Sequence, residues 1–182
     1  FNTVNSPSGF EPATSNYIGV KGLYDNYWCD AGPDSCTNNG VLYSESDIAI
    51  KHITDGTTNT FLLGERHGRC LAGTWIGSRN PPGPDMWGSY FTLGRINIKL
   101  NHPTTGAHNT CTEGFSSDHV GGAHFAMADC SVRFINDSIS FNNGNIPDRH
   151  YLTNNPDSYT RNMLGVYQRL GIRDDGAPIG EF

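Results

Sequence analysis

The chain has 182 residues, 36% of them hydrophobic, enough for one domain with a core of its own. Only 16% of residues are charged, the net charge is −6 and no basic run occurs, which argues against nucleic acid or an anionic membrane surface as a partner. The 22 glycines and 10 prolines, with many Asn, Asp, Ser and Thr, predict a turn-rich, mainly β chain forming a single domain over residues 1–182.

In chain order, residues 1–16 are polar and irregular, and 15–22 (SNYIGVKG) read as a short strand. Residues 25–40 form a long loop carrying Cys29 and Cys36, followed by a short extended piece at 41–43. For 46–53, periodicity does not choose between a turn or two of helix and a strand. Residues 54–59 are a turn, and 60–66 (TFLLGER) a strand. A further strand is expected at 73–77, a Pro/Gly loop at 80–85 and an aromatic, β-forming run at 86–93. Residues 97–114 and 142–157 read as loop, and the spacing of Met163, Val166, Tyr167 and Leu170 predicts a short helix over 159–170.

Residues 116–135 (SSDHVGGAHFAMADCSVRFI) are the richest stretch. Phe125 and Met127 alternate with His124, and Val132 and Phe134 alternate with Ser131, Arg133 and Ile135, on either side of Asp129-Cys130. Two alternating runs across such a break predict a β-hairpin. A type I′ turn there would need positive φ at both central residues, and left-handed backbone costs a non-glycine residue about 1 kcal/mol or more. A disulfide from Cys130 would offset that cost.

Five cysteines in a domain of this size fit an oxidising compartment. Cys29 and Cys36 could close a small local loop. For the rest, Cys111–Cys130 is the favoured pair and Cys70–Cys111 the alternative, with one thiol left over. Zinc held by cysteines is disfavoured, because no C-x2-C or H-x3-H spacing occurs.

His119 and Asp129 resemble a catalytic or metal pair, but ten extended steps would separate them by about 30 Å. They read instead as structure, His119 with Gly121 and Gly122 ahead of the strand and Asp129 in the turn. Glu65 could meet His119 if their strands are neighbours, with His67 and His124 as further imidazoles suited to a transition metal. The competing reading has Glu65 paired with an arginine or capping a turn. Residues 30–34 and 173–176 are acidic loops of the kind that hold calcium, without the spacing of a calcium-loop motif. No G-x-S-x-G and no serine or cysteine nucleophile in a His/Asp setting is found, so no enzyme is expected. Trp28, Trp75, Trp87 and Tyr90 could stack on sugars, but each is more often a core or loop-packing residue.

Three blocks together carry a resemblance: ITDGTTNTFLLGER (53–66), the 116–135 stretch with nine residues between His119 and Asp129, and RLGIRDDGAPIGEF (169–182), with SNYIGVKG ahead of them. They resemble the planctomycete pilin-like proteins with a prepilin-type N-terminal segment and a C-terminal H-X9-DG motif, a domain of unknown function. Cys130 stands where that motif has glycine. The resemblance implies an α+β, mainly β fold: a pilin-like antiparallel sheet with long loops, with the hydrophobic N-terminal helix missing here. It implies an extracellular or cell-surface structural subunit, partnered by itself or by other pilin-like or surface proteins, meeting the membrane only through that missing segment. The chain would be a fragment or processed form. The alternative function is a secreted carbohydrate- or calcium-binding module on the same scaffold, with no other cofactor expected.

Overall fold

The β-forming runs assemble into one five-stranded sheet in a computed structural model that describes residues 13–23, 38–43, 46–70, 72–73, 91–104, 110–144, 158–180 and 182. The strands are β1 (Tyr17–Gly22), β2 (Phe61–Glu65), β3 (Leu93–Arg95), β4 (Gly122–Met127) and β5 (Val132–Asn136), in spatial order β3-β1-β2-β4-β5. Two short helices follow, α1 (Ser158–Met163) and α2 (Val166–Leu170). Among the described residues the fold is thus mainly β with little helix. The sheet is mixed rather than purely antiparallel: β1–β2, β2–β4 and β4–β5 run antiparallel, but β3 arrives by a long connection and pairs parallel with β1. Cys29, Cys36, all but Gly73 of the strand expected at 73–77, the 80–85 loop and most of 86–93 lie outside the described residues.

Local chemistry accounts for the departures from the expected elements. Residues 46–53 contain one 3₁₀ turn, Ile50–His52, with Ile50 exposed. The helix expected over 159–170 is split at Gly165, which is extended at φ −72° and ψ 168°. A Cβ there would lie 2.5 Å from backbone atoms of Ser140 and Asn142, so glycine permits the contact that interrupts the helix. Leu164, Tyr167 and Leu170 are then buried against one face of the sheet.

That face carries the core. Phe61 stacks on Phe125 with centroids 4.2 Å apart, Phe115 lies 5.2 Å from Phe125, and Tyr167 closes the group at 6.2 Å. Gly64 lies beneath these rings; a Cβ on it would be 2.5 Å from both Phe115 and Phe125. In the hairpin, Phe125 pairs with Arg133 and Ala123 with Ile135, whereas His124 pairs with Phe134 and Ala126 with Val132. Directly paired residues share a face. The core therefore takes Ala123, Phe125, Met127 and Ile135, and leaves Val132 and Phe134 on the solvent face, 65% and 46% exposed.

The turn and the cysteines differ from expectation. The Cys130 N–H donates to Met127 O at 2.9 Å, and of Asp129 and Cys130 only Cys130 has a positive φ, +69°. The hairpin thus uses a turn followed by one left-handed residue, the bulge position usually given to glycine, and not a type I′ turn. Asp129 accepts from the Ser131 N–H at 2.9 Å and the Ser131 hydroxyl at 2.6 Å, and these bonds hold its carboxyl below the usual range.

The favoured Cys111–Cys130 pair does not form. Cys70 is bonded to Cys111, and Cys130 is a free, exposed thiol. The reason is position along β2. Its Glu65 end lies beside the segment bearing Cys111, since Ser116 N–H donates to Glu65 O at 2.9 Å. Its Phe61 end lies beside the hairpin turn, where Ala128 N–H donates to Thr60 O at 2.8 Å. The intervening strand spans about 13 Å at 3.3 Å per residue, beyond the roughly 7 Å Cα separation a disulfide tolerates.

Two stability measurements follow. Because the Cys70–Cys111 bond closes a 41-residue separation, a Cys70→Ala/Cys111→Ala variant should lose about 4 kcal/mol in denaturant unfolding on the chain-entropy scale. Cys130→Gly should gain about 1 kcal/mol by relieving the positive φ, while Cys130→Ala stays near neutral. A gain from alanine equal to that from glycine would place the effect in the thiol instead.

Candidate functional site

Pairing across the sheet assembles the polar cluster on its solvent face. Tyr17 of β1 pairs with Glu65 of β2, Gly64 pairs with Phe125, and His124 of β4 pairs with Phe134 of β5. One step along the antiparallel register sets Glu65 opposite His124, so Tyr17, Glu65, His124 and Phe134 form a row across four strands.

His119 joins this row from the turn that precedes β4. Gly121 is left-handed at φ +79°, and Gly122 is the first residue of β4. The Ser117 hydroxyl donates to Gly122 O at 2.6 Å and accepts the His119 N–H at 3.0 Å. The Ser117 N–H donates to Asn101 Oδ1 at 2.9 Å. The turn brings the His119 imidazole over the end of the sheet, edge-on to His124 with centroids 4.7 Å apart.

Glu65 is the centre of the group. Its Oε2 accepts the His124 backbone N–H at 2.7 Å, and its Oε1 lies 3.4 Å from the Tyr17 hydroxyl. Oε1 is also 3.4 Å from His119 Nε2, and Oε2 is 3.5 Å from His124 Nδ1. One ligand atom from each of Glu65, His119 and His124 lies within 4.8 Å of the others. The Glu65 side chain is 11% exposed, against 52% for His119 and 37% for His124, so the carboxylate is sheltered and the imidazoles face water. Partial burial, reinforced by the Glu65 charge and hydrogen bond, raises the Tyr17 phenol above its ordinary pKa.

The structure sorts the residues singled out from the sequence. It brings Glu65 and His119 together and adds His124. It takes His67 elsewhere: Nε2 pairs with Asp118 Oδ2 at 2.7 Å, and Nδ1 accepts the Arg69 N–H at 2.9 Å. Glu65 contacts imidazoles and a phenol here. Asp129 lies beyond the far end of β4, held by Ser131, and does not meet His119. In the 173–176 loop, Asp55 accepts the N–H groups of Asp175 and Gly176 at 2.7 and 2.9 Å, Arg169 lies 3.5 Å from Asp175, and Arg173 lies 3.9 Å from Asp174. Residues 30–34 and Trp28, Trp75, Trp87 and Tyr90 lie outside the described residues. Tyr17 and Phe134 escaped the sequence as site residues, because their place depends on pairing between strands far apart in the chain. His124 was marked by its alternation against Phe125 and Met127.

A family model described as "Protein of unknown function (DUF1559)" matches residues 3–142. No curated protein and no solved structure matches the chain.

The Tyr17–Glu65 contact has a measurable consequence. In Glu65→Gln the carboxylate charge is gone, and the Tyr17 phenol should titrate closer to its ordinary value by NMR. A raised phenol pKa adds stability below the unfolded value of about 10 that is lost as pH rises through the folded value. The variant should therefore show a smaller alkaline loss of stability than the native chain. An unchanged Tyr17 titration would leave burial as the sole cause.

Proposed function

The chain belongs to the family described as "Protein of unknown function (DUF1559)", and on that premise we propose that it is an exported, surface-exposed structural subunit of pilin-like type. In this reading it assembles with copies of itself or with other pilin-like or surface proteins. The observation that carries it is β5, the edge strand of the sheet, which presents Val132 and Phe134 to solvent. Among the described residues no strand covers its outer side. Natural edge strands are usually blunted by charge, proline or short length, because open backbone groups pair with any strand that docks. An edge with apolar side chains suits β-strand addition by a second chain.

Two further features support the reading. The Cys70–Cys111 disulfide fits an oxidising compartment outside the cytosol. The blocks that resemble the pilin-like family touch one another: Asp55 holds the 173–176 turn, and Glu65 meets Tyr17, His119 and His124. They thus read as a scaffold. No helix among the described residues is long and apolar enough to cross a membrane.

Electron microscopy of the native material should reveal repeating filaments or sheets, and Val132→Lys should shift the protein towards monomer with its thermal stability kept. Native protein found only as monomer and turning over a hydrolysable substrate would overturn the assignment.

A further inference from the structure

We propose that Glu65, His119 and His124 form a binding site for one divalent first-row transition metal ion of the zinc type. The inference is independent of the assembly reading, since the site lies within one chain. It starts from two distances. Glu65 Oε1 to His119 Nε2 is 3.4 Å, and Glu65 Oε2 to His124 Nδ1 is 3.5 Å. A hydrogen bond between nitrogen and a carboxylate oxygen spans about 2.7–3.2 Å. Ligand atoms bonded to one tetrahedral ion at about 2.1 Å lie about 3.4 Å apart. Both separations are long for direct hydrogen bonds and near that spacing, each through its own Glu65 oxygen, and one ligand atom from each of the three residues lies within 4.8 Å of the others.

The same fold supplies an internal contrast. His67 and Asp118 lie on the same side of the molecule as the cluster, through the 116–119 turn, and their imidazole and carboxylate close to 2.7 Å. That is how such a pair sits when a proton alone joins it. Glu65 faces two imidazoles and closes on neither.

The surroundings suit a metal centre. The His124 backbone N–H holds Oε2 at 2.7 Å, the outer support that metal-binding carboxylates commonly receive, and the Tyr17 hydroxyl stands 3.4 Å from Oε1. The Phe134 ring stands edge-on to both imidazoles, at 5.1 Å from His124 and 6.4 Å from His119. Two imidazoles with one carboxylate favour zinc, cobalt, nickel, copper or iron over calcium and magnesium, which take oxygen ligands. Three protein ligands on a solvent-facing surface leave a position for water or an external ligand. A bound ion would tie the turn before β4 to β2 and β4, joining three chain segments at one point.

The test uses chelator-treated protein in a Cys130→Ser background, so that the exposed thiol takes no part. Titration with Co²⁺ should give one ion per chain, with visible ligand-field bands, no thiolate charge-transfer band, and displacement by Zn²⁺. Zn²⁺ should raise the Tm, and affinity should weaken on acidification, because protons compete with the ion for its ligands. Glu65→Gln keeps an oxygen to accept the His124 N–H and should weaken Co²⁺ at least tenfold. His119→Ala alters only the exposed turn and should do the same, providing a second reading if Glu65→Gln fails to fold. His52→Ala and His67→Ala should bind as the parent does. No stoichiometric binding, or binding kept in both Glu65→Gln and His119→Ala, would overturn the site and leave the cluster a polar contact alone.

Discussion

The structure turns on the buried guanidinium of Arg66, just past the end of β2. Its side chain is wholly buried, with Nε donating to Gly114 O at 2.9 Å and an NH2 group to Leu93 O at 3.1 Å, while its backbone N–H donates to Asn16 O at 2.6 Å. Removing an ion from water costs several kcal/mol unless its donors find acceptors. Burial pushes this guanidinium down to about 9, with the Glu113 charge opposing the shift. The residue is tolerated because three otherwise separate pieces, the approach to β1, the start of β3 and the 110–116 segment, converge on it. Nearby, Arg95 forms a buried ion pair with Glu113, and the Arg95 N–H donates to Glu113 O at 2.9 Å. The Cys70–Cys111 bond clips the same region covalently. Charge, hydrogen bonds and disulfide therefore hold one end of the sheet, and the aromatic group around Phe125 holds its middle.

Glu65 and Arg66 are consecutive and serve opposite sides of the molecule. Strand alternation sends Arg66 into the interior and Glu65 to the solvent face, where it meets His119 and His124. The site inherits its rigidity from this arrangement. A carboxylate on a central strand, held by a neighbouring backbone N–H, cannot swing away as a loop carboxylate would. The imidazoles then sit at separations set by the register of β2 against β4 and by the tight Ser117–Gly122 turn.

The same register explains the outer edge. With Phe125 opposite Arg133, the apolar alternation of β5 is out of phase with that of β4, and Val132 and Phe134 emerge into solvent. A one-residue slip would bury them and expel Ile135. The Met127–Cys130 turn prevents it by holding Cys130 at φ +69° despite its Cβ. One locally strained residue thus sets both the pairing of the hairpin and the chemistry of its exposed edge.

Much of this chain was legible from its letters. The hairpin, the strands holding Tyr17–Gly22 and Phe61–Glu65, the mainly β class and the special backbone at Cys130 follow from period-two alternation and from the steric cost of a Cβ at positive φ, which are local properties. The meeting of Glu65 with His119 was also legible, as a conditional on which strands are neighbours. The tertiary structure decided everything that depends on that condition. It set β2 between β1 and β4, brought Tyr17 and His124 to the Glu65 carboxylate, gave His67 to Asp118, joined Cys111 to Cys70 and broke the last helix at Gly165. Each is a contact between segments far apart in the chain, selected by packing and hydrogen bonding over the whole fold, and local residue preferences carry no information about such contacts.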